Sequence, residues 1–181
     1  MQRAVIILHE GFEEMEAVAP IDLLSRAGVE LTLARVQAGP FIRGRSGIVL
    51  EAPTELDALN EAPLFDAVIL PGGPAVKALR KHTDIMQFLR KHHTAGKILA
   101  GICAAPLLLL DAGLLPEHYT AHPSAAPELP QADAAACIWH ESILTSQGAG
   151  TATEFALALV EALTDEETMR QIAGAICWRK A

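Results

Sequence analysis

Short apolar runs alternate with amphipathic stretches along the chain. Continuous apolar runs of four to eight residues are typical of strands buried on both faces of a sheet, and alternating runs are typical of half-buried strands. The predicted strands are residues 3–9, 29–36, 41–43, 48–50, 66–70, 97–101, 136–140 and 143–146. Because residues 41–43 and 48–50 flank the turn sequence GRSG, we expect them to form a hairpin.

Apolar residues recur at helical spacing between these strands. The predicted helices are residues 15–27, 83–94, 104–111, 151–163 and 164–177. The first is expected to bury the stripe Met15, Val18, Ile21 and Leu24, to start or kink near Pro20, and to end at Gly28. The last two begin with Thr151 and Thr164, each followed three residues later by a glutamate (Glu154 and Glu167), and this spacing predicts two capping boxes.

Strands that alternate with helices predict βαβ units, and therefore an α/β fold with a mostly parallel sheet covered by helices on both faces. The chain has 181 residues, of which 51% are hydrophobic and 20% charged, and this composition is typical of a globular protein. No repeat or linker interrupts the pattern. We therefore expect residues 1–181 to form a single domain.

Charge and cysteine content exclude several classes of function. The net charge of −8 and the lack of a Lys/Arg cluster argue against a nucleic-acid partner, because an acidic chain repels phosphate backbones. Neither an export signal nor a membrane-spanning run is recognisable, so a cytoplasmic location without a membrane partner is expected. The three cysteines and the dispersed histidines lack metal-site spacing, and we expect neither a metal nor a cofactor.

Chemistry is expected at the carboxyl ends of the strands, where ligands bind in open α/β sheets. The sequence GICAA follows one predicted strand and is similar to the nucleophile elbow G-x-S-x-G, with Cys103 in place of serine. Small neighbours such as Ala104 allow the sharp turn that an elbow requires. A thiol at a helix N-terminus is expected to have a lowered pKa, although most cysteines are simply small buried hydrophobes.

Other candidates have ordinary structural explanations as well. Glu13, Glu14 and Glu16 follow the first strand, and spacing alone does not decide whether one of them enters the site or all three are solvated. Gly72 and Gly73 end another strand; their amides are candidate oxyanion donors, or they form an ordinary turn. His122 is a candidate site residue, although a lone histidine is more often structural. Met15, Met86 and Met169, together with Cys137 and Cys177, are expected in the core.

Taken together, these stretches resemble the ThiJ/PfpI superfamily, in particular its Parkinsonism-associated protein deglycase branch and bacterial relatives. The matching stretches, in chain order, are AVIILHEGFEEMEAVAPIDLLSRAG, VILPGG, ILAGICAAPLLLL, TAHPS and LTSQGAGTATEFALALVEAL. The resemblance implies a flavodoxin-like three-layer α/β sandwich and a homodimer. PfpI-type proteases have a histidine directly after the cysteine; this chain has Ala104 there, which disfavours peptidase activity.

The resemblance also implies roles for individual residues. Cys103 matches the reactive, easily oxidised cysteine, Glu16 the glutamate that hydrogen-bonds it, and His122 a histidine near the site. Gly72, Gly73 and Ala104 match positions that present backbone amides. Arg45 matches a basic residue that approaches the partner subunit's pocket, and Arg26 matches a neighbouring arginine.

These roles favour a cofactor-independent enzyme that acts on methylglyoxal, glyoxal or their early adducts with proteins and yields hydroxy acids, as a glutathione-independent glyoxalase or deglycase does. A second hypothesis is an oxidative-stress sensor or redox-regulated chaperone in which Cys103 is oxidised to a sulfinic acid. A third is a structural domain with an inert Cys103. The sequence leaves open whether the substrate is the free dicarbonyl or a glycated protein.

Overall fold

The computed structural model of the protein describes residues 1–179 and contains nine strands and six helices within that range. The strands are β1 (Arg3–Leu8), β2 (Glu30–Arg35), β3 (Phe41–Arg43), β4 (Val49–Glu51), β5 (Thr54–Glu55), β6 (Ala67–Leu70), β7 (Ile98–Ile102), β8 (Cys137–His140) and β9 (Ile143–Ser146). The helices are α1 (Glu14–Arg26), α2 (Ala75–Leu79), α3 (Thr83–Thr94), α4 (Pro106–Asp111), α5 (Ala152–Leu163) and α6 (Glu166–Ala175).

Seven strands form the main sheet in the order β5-β2-β1-β6-β7-β9-β8, and β3 pairs with β4 as the predicted antiparallel hairpin. All neighbours in the main sheet are parallel except β8 and β9. The central order is that of the flavodoxin-like sandwich, so the predicted fold class is confirmed. The sequence pattern missed the two-residue strand β5 and the short helix α2.

The strand order reverses at β1, because β2 lies on one side of it and β6 on the other. Ligands in open α/β sheets bind beyond the carboxyl ends of strands at such a reversal. The loops after β1 and β6 meet there, and the loop after β7 is adjacent. The fold therefore brings three loops together that are far apart in the sequence.

The central strands are almost completely buried between two groups of helices. Helix α1 packs on α5 and α5 on α6, while α3 and α4 pack on each other and on β7. Residues Val5–Leu8 and Ala67–Leu70 have essentially no exposed surface, which explains why both strands are continuous apolar runs. None of the helices in residues 1–179 is long and apolar enough to cross a membrane.

Helix α1 differs from its predicted form in both its start and its buried face. It begins at Glu14 and continues through Pro20, so the proline does not start the helix. Met15 is 59% and Val18 40% exposed, whereas Glu16 is buried. The predicted inward stripe was therefore wrong for Met15 and Val18, because the packing against the sheet turns the carboxylates inward. The predicted end is confirmed: Gly28 has φ +74°, which glycine adopts without strain.

Neither predicted capping box forms. Thr151 makes no cap for α5; its hydroxyl instead bonds to the backbone of Gly148. Helix α6 begins at Glu166, and its cap is the side chain of Asp165, which accepts the Thr168 amide at 2.8 Å. Thr164 ends the preceding helix and donates to the Val160 carbonyl. A carboxylate one residue further along thus takes the place assigned to the threonine.

Candidate active site

Cys103 is the first residue after β7 and has a left-handed backbone, with φ +65°. A non-glycine residue in this conformation carries strain of roughly 1–2 kcal/mol, and such strain is concentrated at functional sites. Two hydrogen bonds hold the turn: the Cys103 amide donates to the Ser146 carbonyl, and the His122 amide donates to the Cys103 carbonyl, both at 2.9 Å. The predicted position between strand and helix is confirmed, and the thiol is partly exposed rather than sealed in the core.

Glu16 reaches this thiol from the first turn of α1. Its side chain is 1% exposed, and its Oε2 accepts the Gly72 amide at 2.8 Å. The carboxyl also hydrogen-bonds the Cys103 thiol. A buried carboxyl with so few donors favours its neutral form, and burial raises the pKa of Glu16 to about 7.

The pKa of Cys103 shifts in the direction opposite to the sequence-based expectation. Burial of the thiol, followed by the negative charge of Glu16, raises its pKa to about 12. The amides of Gly73 and Ala104 hydrogen-bond the sulfur and lower its pKa, but by less. Two backbone amides thus face the sulfur as expected, but burial of the thiol and the charge of Glu16 together outweigh their effect on its pKa.

Glu16 and Cys103 therefore hold one proton between them above a pH of about 7. Between the two pKa values, about 7 and about 12, the pair has a single negative charge, which the lower pKa of Glu16 places mainly on the carboxylate. When the proton is on Glu16, its O–H can donate to a thiolate that the two amides already face. The pair can therefore supply a nucleophilic sulfur and a proton carrier from the same two groups.

Position 72 requires glycine, because the Cys103 and Glu16 side chains leave no space for a Cβ there. A Cβ at this position would lie 2.7 Å from the Cys103 Cβ and 2.7 Å from Glu16 Oε2. Gly73 follows with φ +88° and is confined by the loop after β1, where an added Cβ would lie 2.7 Å from the Glu13 amide nitrogen. These two glycines let the ends of β6 and β7 and the start of α1 approach each other at the thiol.

The structure gives the three glutamates different positions, which spacing alone could not do. Glu14 is buried against the β3–β4 hairpin, where its Oε1 accepts the Ser46 amide at 2.6 Å. Burial alone would raise its pKa, but backbone hydrogen bonds hold the pKa of Glu14 below its ordinary value. Glu13 pairs with Arg45 at 3.0 Å. Only Glu16 contacts the thiol.

A cavity of about 390 Å³ opens beside Cys103. Its lining comprises six of the predicted site residues, namely Glu16, Arg45, Gly73, Cys103, Ala104 and His122, together with Glu13, Pro74, Ser124 and Ala149. Sequence reasoning missed Ser124 as a site residue. The sequence feature that could have identified Ser124 is its position two residues after His122 in TAHPS.

The two predicted arginines have different environments. Arg45 extends from the hairpin over its own chain's cavity, and its amide donates to the Phe12 carbonyl at 2.9 Å. Arg26 lies ten residues beyond Glu16 on α1, a distance of roughly 15 Å along the helix axis. It pairs with Asp22 at 2.9 Å and does not line the cavity. Within one chain, Arg26 is therefore not a site residue.

The remaining cysteines lie outside the cavity. Cys137 is partly buried on β8, and its thiol donates to the Ser146 hydroxyl at 3.4 Å. Cys177 follows α6 in a left-handed conformation and is exposed, so its predicted core position was wrong. Met15 is likewise exposed, whereas Met86 is buried and Met169 packs against the core as expected.

A flavodoxin-like sandwich with a strained cysteine and a buried glutamate at the carboxyl ends of its strands defines a class of cysteine-centred α/β proteins. The family model of the DJ-1/PfpI family matches residues 2–162. The chain therefore belongs to this family, as the sequence resemblance implied.

Individual relatives are similar along nearly their whole length. The protein dj-1beta of Drosophila melanogaster is 33% identical over 176 residues, which cover 94% of each chain. A Caenorhabditis elegans protein named glutathione-independent glyoxalase DJR-1.2 is 28% identical over 99% of this chain and 98% of its own. The crystal structure of Drosophila DJ-1beta superimposes with a TM-score of 0.93 over 99% of both chains, at 31% identity.

Proposed function

We propose that this protein is a cysteine-dependent, cofactor-independent enzyme that converts methylglyoxal or glyoxal, free or as early adducts on proteins, into hydroxy acids. The observation that carries the proposal is the Cys103–Glu16 pair, in which a buried carboxyl hydrogen-bonds a thiol that two backbone amides also contact. The relative named as a glutathione-independent glyoxalase supports the same chemistry.

The first step forms a carbon–sulfur bond. The Cys103 sulfur attacks the aldehyde carbon of the dicarbonyl, and its proton stays with, or passes to, Glu16. The carbonyl oxygen becomes an alkoxide that the amides of Gly73 and Ala104 can stabilise. Protonation of that alkoxide by Glu16 gives a hemithioacetal and returns Glu16 to its carboxylate form.

Isomerisation and hydrolysis complete the reaction. The Glu16 carboxylate removes the hydrogen from the carbon bonded to sulfur and delivers it to the adjacent carbon, while the proton of the hydroxyl group on the first carbon passes to the second oxygen. The product is a 2-hydroxyacyl thioester of Cys103. Water then cleaves this thioester, which releases lactate from methylglyoxal or glycolate from glyoxal and restores the thiol. No electrons leave the substrate, so no redox cofactor is required.

The test is lactate production from methylglyoxal by purified variants. Cys103→Ala is expected to abolish it, and Glu16→Gln to lower kcat by about 10²–10⁴-fold, the usual contribution of a proton-transfer group. Glutamine keeps an oxygen that can accept the Gly72 amide, so this variant removes the proton carrier with little change of shape. Cys137→Ala is the matched control, because this cysteine lies outside the cavity, and it should retain full turnover. Turnover by Cys103→Ala would refute the proposal.

The pH profile gives an independent test. The singly protonated pair is the active form, and it is populated above the lower pKa of about 7. Turnover by the wild type should therefore rise as pH increases through about 7. The residual turnover of Glu16→Gln should not show this rise. If mild peroxide instead adds two oxygens to Cys103 while no dicarbonyl is consumed, the oxidation-sensor function replaces the enzyme.

We extend the proposal to assembly as a homodimer, which the family resemblance implies, and to a cytoplasmic location. Met15 and Val18 on α1 and Ile48 and Val49 on the hairpin are large apolar side chains left exposed on one chain. Sedimentation equilibrium should give twice the chain mass, and Met15→Glu should lower the association constant. A monomer at micromolar concentration would refute the dimer.

A further inference from the structure

The imidazole of His122 has an asymmetric hydrogen-bond environment. His122 is the cap of a short 3-10 turn, Pro123–Ala125, and its Nδ1 accepts the backbone amide of Ser124 at 3.1 Å. The Ser124 hydroxyl lies 2.9 Å from the same nitrogen. A backbone N–H can only donate, so Nδ1 must present its lone pair to Ser124.

This contact determines where the hydrogen of the neutral ring lies. With Nδ1 acting as an acceptor, the hydrogen is on Nε2, which makes that nitrogen a donor. A hydrogen on Nδ1 would face the Ser124 N–H and break the cap. Among residues 1–179, no side chain or backbone group is hydrogen-bonded to Nε2, and the residue is exposed, so the Nε2 hydrogen is free to bond a ligand.

The backbone of His122 is connected to the turn that carries the thiol. The His122 backbone amide donates to the Cys103 carbonyl, which connects the residue directly to the strained turn. On its other side the ring adjoins Gly148, where an added Cβ would lie 3.3 Å from the His122 Cδ2. His122 and Ser124 both line the cavity that contains Cys103.

We propose that His122 serves the reaction as a neutral hydrogen-bond donor through Nε2, and that Ser124 is a positioning residue that fixes this tautomer. This inference rests on the proposed function. As the carbon–sulfur bond forms and the carbonyl oxygen gains charge, the Nε2 hydrogen bonds to that oxygen and stays on the ring. Glu16 alone carries the proton between the carbons, and His122 is not a proton acceptor.

Two substitutions at position 122 separate the two nitrogens. In His122→Asn, the side-chain oxygen can replace Nδ1 and cap the turn, as asparagine often does, but nothing replaces the Nε2 hydrogen. In His122→Gln, the longer amide can place an N–H near the position of Nε2, but the cap is lost. We expect stability and activity to move in opposite directions in the two variants.

The measurements are the melting temperature and methylglyoxal turnover. His122→Asn should melt like the wild type and lose about 10²-fold in kcat, the usual effect of removing a donor to a developing oxyanion. His122→Gln should melt lower and keep kcat within about tenfold of the wild type. If the asparagine variant is the more active one, His122 is only a cap. If both are equally inactive, the ring transfers a proton. Either result overturns the inference.

The tautomer can be measured without any turnover. In the wild type, the nitrogen-15 NMR spectrum of His122 at pH 8 should show a protonated Nε2 and an unprotonated Nδ1. Ser124→Ala removes the hydroxyl donor but keeps the backbone amide, so the Nδ1-protonated form should increase without becoming dominant. A dominant Nδ1-protonated form in the wild type overturns the inference. If the wild type does not consume methylglyoxal, the proposed function fails, whereas this spectrum still reports the tautomer.

Discussion

Replacing Gly72 by alanine would place a methyl group between the two groups that share the proton. The new Cβ would lie 2.7 Å from the Cys103 Cβ, 2.7 Å from Glu16 Oε2 and 2.8 Å from the Ile102 carbonyl oxygen. Ordinary contacts of this kind are about 3.5 Å, so the Cys103 Cβ, which carries the sulfur, and the Glu16 carboxyl must each move away by roughly 0.8 Å. Overpacking of this degree costs about 1–3 kcal/mol.

The expected effect on catalysis is larger than the effect on stability. A displacement near 1 Å at a reacting group lowers the rate by about 100-fold, whereas 1–3 kcal/mol lowers the melting temperature of a chain of this length by only roughly 2–12 °C. Calorimetry and lactate production from methylglyoxal measure the two effects. We therefore expect Gly72→Ala to be folded at 25 °C and at least about 100-fold less active.

Gly113→Ala is the matched control for this prediction. Gly113 has φ +70° and no atom within 4 Å of an added Cβ, so alanine there introduces backbone strain without a clash. The strain costs about 1–2 kcal/mol, which is comparable to the cost at Gly72. This variant should be destabilised and fully active. If Gly72→Ala retains activity within threefold of the wild type, the close contact at the thiol is not what positions the reacting groups.

Three further predictions concern stability. His92 is buried; its Nε2 accepts a hydrogen bond from the Phe65 amide at 3.2 Å, and its Nδ1 donates to the Phe88 carbonyl. Burial lowers the pKa of His92, so its imidazole binds a second proton more tightly in the unfolded chain than in the folded protein. The free energy of unfolding should therefore fall as pH decreases below about 6.5, by at most about 1.4 kcal/mol per pH unit, and urea titrations of His92→Gln should lack this component. Arg80 donates two hydrogen bonds to Asp111 and two to Glu128, so Arg80→Lys should lower the free energy of unfolding by about 1–2 kcal/mol. An unchanged melting temperature would show that these hydrogen bonds do not stabilise the fold. Asp165→Ala should lower the free energy of unfolding by about 1 kcal/mol, whereas Glu167→Ala should change it by less than about 0.5 kcal/mol. A larger effect of Glu167→Ala would instead support a capping box between Thr164 and Glu167.

The Cys103–Glu16 pair connects the local fold to the proposed chemistry. The sulfur is held at a strained turn, and the carboxyl is buried beside it. An isolated thiolate would react with many electrophiles, whereas a thiol that loses its proton to a fixed neighbour is activated at the place where the substrate binds. In the proposed function, the Cys103 thiol is therefore ionised by proton transfer to Glu16 as it reacts and is not permanently charged.

Local sequence patterns determined the alternation of strands and helices and the position of the cysteine. Continuous apolar runs such as residues 66–70 require burial on both faces, and small residues around Cys103 permit only a sharp turn. These are properties of neighbouring residues, and local physics is sufficient to predict them. The flavodoxin-like form of the fold was implied by the resemblance of these stretches to a known family, not by local physics.

Only the tertiary structure decided which face of α1 is buried and in which direction the pKa of Cys103 shifts. It also shows that Glu16 is the acidic residue that contacts the thiol, a choice that spacing left open and that the family resemblance implied. Glu16 is held beside the thiol by a hydrogen bond from the amide of Gly72, 56 residues away, whereas Glu13 and Glu14 bond to Arg45 and Ser46 of the hairpin. The helix therefore buries a carboxylate and exposes Met15, which reverses what its own periodicity predicts. Burial and charge at a point depend on every element that packs there, and a local sequence pattern does not contain that information.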